Sequence, residues 1–368
     1  MSIKMHCLDS QPKYIKIMIF SNLSIRDLYR IAKLNRKYNQ FIKDNNWPQS
    51  IDFGQFFDRM DWTLSTNKLH TDHIKFNIME NNQKYLMADI HYFLKKEKID
   101  KININTRVEY LLIKQLNKEF NIPYIRTCYL SFCANIKKHL ELVCDSLDKD
   151  EYYYDYYKNE LPNCLEYGII NIHDLCEYGT LHEYININNG SIKLEIWKTL
   201  LFQILYTLAV IQEKYPSFRH NDFRPSVIYL KKNPTTNDYD SHYLDGQHFL
   251  VKNVGLQICI NESRFSCMGD IVKNNLIDEK WVNDLNITPV QHRYYDLHYF
   301  FSHLLRYFDK AIPAEIINFI QRIIPDKYNM LNKNYIFVNS RGRLLVNDEY
   351  ITPRQIIMHD DFFAEYRV

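Results

Sequence analysis

Glycine is scarce in this chain: 8 in 368 residues, with none between Asn67 and Lys95. That stretch therefore lacks a loop of the kind whose backbone amides close around a nucleotide's phosphates, because such a loop needs glycine for the close approach. The 8 cysteines form no C-x-x-C pair and no Cys/His cluster at zinc spacing. Neither charge sign dominates: 46 Lys+Arg face 44 Asp+Glu, a net of +2, with no dense basic block. This gives no case for nucleic acid or an anionic membrane as partner. Lys4, His6, Asp9 and Lys13 interrupt any secretory apolar core at the start, and no run of 18 apolar residues occurs. A reducing, intracellular setting with free thiols is the expectation.

What is present is ample apolar material, 46% of residues, enough for a proper core, and 29 tyrosines. The length fits two or three domains or one large bilobal one.

Near the start, Pro12 to Phe20 places apolar residues at helical spacing. Ser24-Ile25-Arg26-Asp27 reads as a capping box opening a second helix, with Leu28, Ile31, Leu34, Tyr38 and Phe41 on one face. Trp47 closes the unit. A segment of this size buries its own apolar surface poorly and needs a cover. With Pro12, Ile15, Ile19, Phe20, Leu23, Leu28, Asn35 and Trp47 at their spacings, it resembles an F-box. The resemblance implies docking on a Skp-type adaptor of a cullin ubiquitin ligase through Pro12, Ile15, Ile19, Phe20, Leu23 and Leu28. The plainer alternative is a helical hairpin packed on the rest of the chain.

Much further on, Phe218-Arg219-His220-Asn221-Asp222-Phe223-Arg224-Pro225-Ser226-Val227 lies between a long amphipathic pattern and a short β-branched run. The pattern, Trp197, Leu200, Leu201, Ile204, Leu205, Leu208 and Ile211, predicts a helix. The loop resembles the catalytic loop of protein kinases, H-R-D-L-x-x-x-N, in His220, Asp222 and Phe223. Five residues after Asp222, where the family has its metal-binding Asn, stands Val227. Asn253-Val254-Gly255, after strand-like Phe249 to Lys252, is aligned with the family's D-F-G. Asp296 in Tyr294-Tyr295-Asp296-Leu297-His298 matches the buried aspartate that bonds the catalytic-loop backbone. Cys176-Glu177-Tyr178-Gly179-Thr180-Leu181 resembles the hinge, and residues 351–363 the last helix and its aromatic tail. The wording is most similar to kinase-like proteins of giant DNA viruses, some of which carry F-boxes.

The resemblance implies a set of roles. Asp222 would take the acceptor's proton, and the Val227 and Asn253 positions would hold magnesium. Asn253 is a weak ligand, one neutral carbonyl where a hard cation prefers carboxylate. Lys95, at the end of an expected strand Ile90 to Lys96, and Glu109, 14 residues later in an expected helix 107–120, would form the phosphate-holding pair. Glu177 would lie at the nucleotide edge. Asp52-Phe53-Gly54 is a chance match, having no catalytic loop before it. The Tyr-rich acidic run at 151–157 reads as a connecting segment.

The expected fold is thus α+β: a helical F-box at 1–52, a divergent kinase-like first lobe at 53–170 and a mostly helical second lobe at 171–368. The expected function is a substrate receptor with a catalytically impaired, pseudokinase body that presents an unidentified client to the ligase in a host cytoplasm, without nucleic acid or membrane. No cofactor is expected. ATP and Mg²⁺ enter only under the alternative, an active atypical protein kinase with Asp222 as base. A non-enzymatic viral scaffold is the third reading.

Overall fold

The computed structural model describes residues 61–64, 73–80, 83–91, 124–126, 128–135 and 167–368, the last less 234, 262–264, 270–273, 275–276, 278–281, 283–284 and 333–335. The F-box-like segment with Pro12, Ile15, Ile19, Phe20, Leu23 and Leu28 lies outside the described residues, as do Lys95, Glu109, the expected helix 107–120 and the Tyr-rich run. The chain forms two compact units, residues 1–96 with 129–173, and residues 97–128 with 174–368.

The first unit is built on a five-stranded sheet in the order β1-β2-β3-β5-β4. Its strands are β1 (Asp61–Leu64), β2 (His73–Glu80), β3 (Gln83–His91), β4 (Cys128–Asn135) and β5 (Tyr167–Asp174). β1, β2 and β3 run as an antiparallel meander, and β2 bulges between Ile78 and Met79. A strand spans Gln83–His91 and so includes Ile90 and His91 of the strand expected at Ile90 to Lys96; Tyr92 to Lys96 lie outside the described residues. The consecutive residues Met87, Ala88 and Asp89 are all buried, as in an inner strand covered on both faces. A buried imidazole–carboxylate contact joins neighbouring strands: His173 Nε2 lies 3.3 Å from Asp89 Oδ2.

The second unit is organised by helices. α1 (Leu181–Asn188) starts at a capping box in which Thr180 and Glu183 satisfy each other's amides. α2 (Leu194–Lys214) is long and apolar enough to cross a membrane by length and composition. Most of it is buried, however, with Trp197, Leu200, Leu201, Phe202, Ile204, Leu205, Leu208 and Ile211 inside the core. Its apolarity is that of a central core helix. Full burial of side chains such as Trp197 or Phe202 contributes roughly 1.5–3 kcal/mol each.

After α2 come β6 (Phe218–Arg219), a 3-10 turn (Pro225–Val227), β7 (Ile228–Lys232), β8 (Tyr239–Leu244), β9 (Gln247–Lys252), β10 (Leu256–Ile260) and β11 (Cys267–Met268). β7 pairs with β10, β6 with β11 and β8 with β9, all antiparallel. β8 and β9 form a hairpin between the two members of the β7–β10 pair. Its turn, Asp245-Gly246, has positive φ at both residues (50° and 81°), as a type I′ turn requires. α3 (Tyr295–Phe308), α4 (Ala314–Ile323) and α5 (Pro353–His359) complete the unit, followed by a 3-10 turn (Asp361–Tyr366). The terminal rings pack on α2, with Phe363 and Tyr366 at 5.8 and 5.4 Å from Phe202.

Candidate functional site

The loop His220 to Val227 is held from below by α3. Asp296, fully buried in the first turn of α3, accepts the amide of His220 at 2.7 Å and that of Asn221 at 2.8 Å. These bonds fix Asn221 in the left-handed region at φ 63°, a conformation Asn tolerates better than most residues. Arg219, just before the loop, is buried and reaches the 286–290 segment. It donates to Thr288 Oγ1 (2.9 Å) and to the carbonyls of Asn286 (3.1 Å) and Val290 (3.2 Å), with its guanidinium 3.8 Å from the Tyr295 ring centre.

His220 is a buried connector. Asp222 N–H donates to its Nδ1 at 3.4 Å, which leaves Nε2–H to donate to the Asn261 carbonyl at 3.0 Å. Asn261 follows β10, and its amide donates to the Val227 carbonyl at 3.1 Å. The residue facing the loop from the neighbouring strand is therefore Asn261.

Asn253 lies elsewhere, at the end of β9. Its amide nitrogen donates to the carbonyls of Thr235 (3.2 Å) and Asn237 (2.9 Å), and its Oδ1 accepts Gly255 N–H at 2.9 Å. The alignment of Asn253 with the metal-binding D-F-G aspartate is accordingly corrected to Asn261. Asn253 instead ties down the base of the β8–β9 hairpin. Two successive strands each followed by Asn made the sequence ambiguous. The distinguishing signal is β10 itself, Leu256-Gln257-Ile258-Cys259-Ile260, buried along its whole length as an inner strand should be. Gln203 of α2 serves the far edge of that strand, accepting Ile258 N–H (2.9 Å) and donating to the Leu256 carbonyl (3.3 Å).

At the centre stands Asp222. Its Oδ1 is 2.7 Å from Arg343 Nη2 and its Oδ2 is 3.1 Å from Arg224 Nε. Arg343 was not singled out from the sequence, since an arginine 121 residues downstream carries no local signal. Val227 is 1% exposed and offers no ligand atom. Asn261 is 1% exposed, and its Oδ1 has no hydrogen-bond partner among the described residues. The magnesium ions of a phosphotransfer site are held by carboxylate and amide oxygens from these two positions. A valine and one neutral amide do not fit that ion set. Among the described residues, no group of three or more His, Cys, Asp or Glu side chains is arranged to hold a metal ion.

The hinge-like segment runs beside β7. Tyr178 N–H donates to the Leu230 carbonyl (3.2 Å) and Leu230 N–H to the Gly179 carbonyl (2.8 Å). Glu177 is exposed, and its carboxylate accepts Lys232 N–H at 3.0 Å, so the side chain braces the hinge on β7. Lys231 pairs with Asp174 at 3.2 Å near two buried thiols, Cys176 and Cys259. A hydrogen bond from Cys259 holds the Cys176 thiol below its usual value, and burial pushes Cys259 well above it.

No protein-family model matches the chain. Two proteins of Acanthamoeba polyphaga mimivirus do, both named as candidate serine/threonine-protein kinases. One is 32% identical over 277 residues, which is 71% of this chain but 57% of the relative, so the chain spans little more than half of that protein. The other is 24% identical over an alignment of 387 residues, 89% of this chain and 94% of the relative. The mixed helix and strand content, the Asp296-held loop and these similarities agree: the chain contains a protein-kinase-like domain with relatives in a giant virus.

Proposed function

We propose that this chain is a receptor with a pseudokinase body: the kinase-like domain presents a protein client, and the F-box-like segment at 1–52 docks on a Skp-type adaptor of a host cullin ubiquitin ligase. The observation that carries the impaired-catalysis half is the pair Val227 and Asn261, an apolar side chain and a neutral amide beside the loop where anionic oxygen is needed to neutralise phosphate charge. The glycine-free stretch between Asn67 and Lys95 supports it. The adaptor half rests on the F-box resemblance.

Two measurements on the full chain test the halves separately. Co-purification with the adaptor is expected for the native chain and lost in Leu23→Asp/Leu28→Asp; equal capture by both refutes docking. A thermal melt with ATP and Mg²⁺ is expected to match the melt without them. Binding at 100 Kd would add about 2.7 kcal/mol and raise the midpoint, overturning the impaired-site reading.

A second reading has one observation in its favour. Asp222 still sits in a loop whose backbone Asp296 fixes, the arrangement a base would need. Under that reading the chain is an atypical protein kinase, and Asp222→Asn abolishes a measurable transfer of phosphate to protein.

A further inference from the structure

Arg343 reaches Asp222 from a turn that is itself firmly built. Val338 and Leu344 bridge antiparallel, Asn339 N–H donates to the Arg343 carbonyl (2.9 Å), and Asn339 Oδ1 accepts the amides of both Arg341 and Arg343 at 3.0 Å. Gly342 turns the chain at φ 83°, and a Cβ there would lie 3.1 Å from Met330 Sδ. The guanidinium delivered by this turn is 4% exposed by residue. Besides Asp222 Oδ1, it donates to the Asn221 carbonyl and to Tyr295 Oη (3.2 Å), and it lies 4.2 Å from the Tyr299 ring centre. An acceptor hydroxyl in a kinase-like loop must hydrogen-bond a carboxylate oxygen of the loop aspartate. Here one oxygen is held by a buried guanidinium at 2.7 Å and the other by Arg224 at 3.1 Å. Charge-assisted bonds of this kind are roughly twice as strong as neutral ones. A hydroxyl approaching Oδ1 along the direction Arg343 occupies would have to displace it and leave a buried cation without its anion.

We propose that the turn at 337–345 is a built-in occupant of the acceptor site, with Arg343 holding the Asp222 oxygen that an incoming hydroxyl would need. This rests on the reading of Asp222 as the acceptor-side carboxylate of a kinase-like loop, and it is independent of the adaptor. Displacement of the turn, by a client or a bound segment, is then the step that exposes Asp222.

The test is carboxylate labelling of the full chain with a water-soluble carbodiimide and glycine ethyl ester, read peptide by peptide by mass spectrometry. Asp309 and Glu315, both exposed, set the rate of an open carboxylate, and Asp296 in the core reports unfolding. In the native chain Asp222 is expected to label about tenfold or more slowly than Asp309, since access requires breaking a charge-assisted bond. Arg343→Gln removes the occupant. Asn339→Ala loosens the turn without touching Asp222. The proposal predicts that at least one of the two raises Asp222 labelling about tenfold while Asp296 stays protected, so that access and unfolding separate. It is overturned if Asp222 labels like Asp309 in the native chain. It is also overturned if both variants leave Asp222 protected, or if Asp222 and Asp296 become reactive together, which would make the turn plain core. None of these outcomes alters the adaptor capture or the nucleotide melt, so the two proposals fail separately.

Discussion

Asp296 Oδ1 accepts the amide of Asn221 at 2.8 Å and so holds a non-glycine residue at φ 63°. One carboxylate thus fixes a strained backbone and the loop that hangs from it. Asp296→Ala leaves two buried amides, those of His220 and Asn221, without an acceptor. Each such orphan costs about 1–3 kcal/mol. The expected loss is a few kcal/mol of unfolding free energy, measured as a fall in the denaturation midpoint. Asp296→Asn, which keeps one side-chain oxygen to accept one of these amides, is expected to lower stability less. Equal losses would refute this account of the loop.

A gain of ligand tests the ion argument from the other side. Val227→Asn with Asn261→Asp places an amide and a carboxylate at the two positions that face each other across the β7–β10 register. Such a variant is expected to show a melting shift with Mn²⁺ or Mg²⁺ and nucleotide that the parent lacks, each chain being compared with itself without the ion. A variant that stays indifferent to the metal refutes the assignment of these two positions as the ones that decide ion binding.

The start of α1 depends on two neighbours. Thr180→Ala removes the capping hydroxyl that accepts Glu183 N–H, a change worth about 1 kcal/mol. Gly179→Ala puts a Cβ within 2.6 Å of Glu183 Oε2 at φ 69° and also disturbs the reciprocal half of the box. The glycine variant is expected to be the less stable of the two in urea unfolding.

Acid should weaken the second unit through its buried histidines. Burial lowers the imidazole of His298 to about 4, and does the same to His242, so both stay neutral in the fold well below their ordinary value. In the unfolded chain they take up a proton near pH 6.5. The unfolded state therefore binds more protons between about pH 6.5 and 4, and stability falls as pH drops through that window. The urea midpoint should be lower at pH 5 than at pH 7. His298→Gln, which keeps a donor for the Tyr328 carbonyl that the ring bonds at 2.9 Å, should flatten the slope.

The long-range grammar of the second unit was legible because it rests on local patterns. The three-four spacing of Trp197 to Ile211 gave α2, and the Tyr-Tyr-Asp-Leu-His run gave α3 together with the Asp296 that grips the loop. The position of Asn253 was misread because β9 and β10 are both apolar strands closed by Asn, and only the pairing with β7 tells them apart. Arg343 was invisible for a related reason: its meaning comes from a contact with a loop far away in sequence, made by a turn whose own residues look like any Asn-Ser-Arg-Gly surface bend.

The β8–β9 hairpin has a consequence for how the chain folds. Residues 233–255 separate two strands that must meet beside the loop, and closing an unstructured excursion of that length would tax the search for the β7–β10 register. A hairpin closed by Asp245-Gly246 zips within its own sequence first, which draws Lys232 and Leu256 together before the central ladder forms. The inserted ribbon would thus act as a clasp that sets the assembly order, and weakening its two-residue bend should slow refolding more than it lowers the final stability.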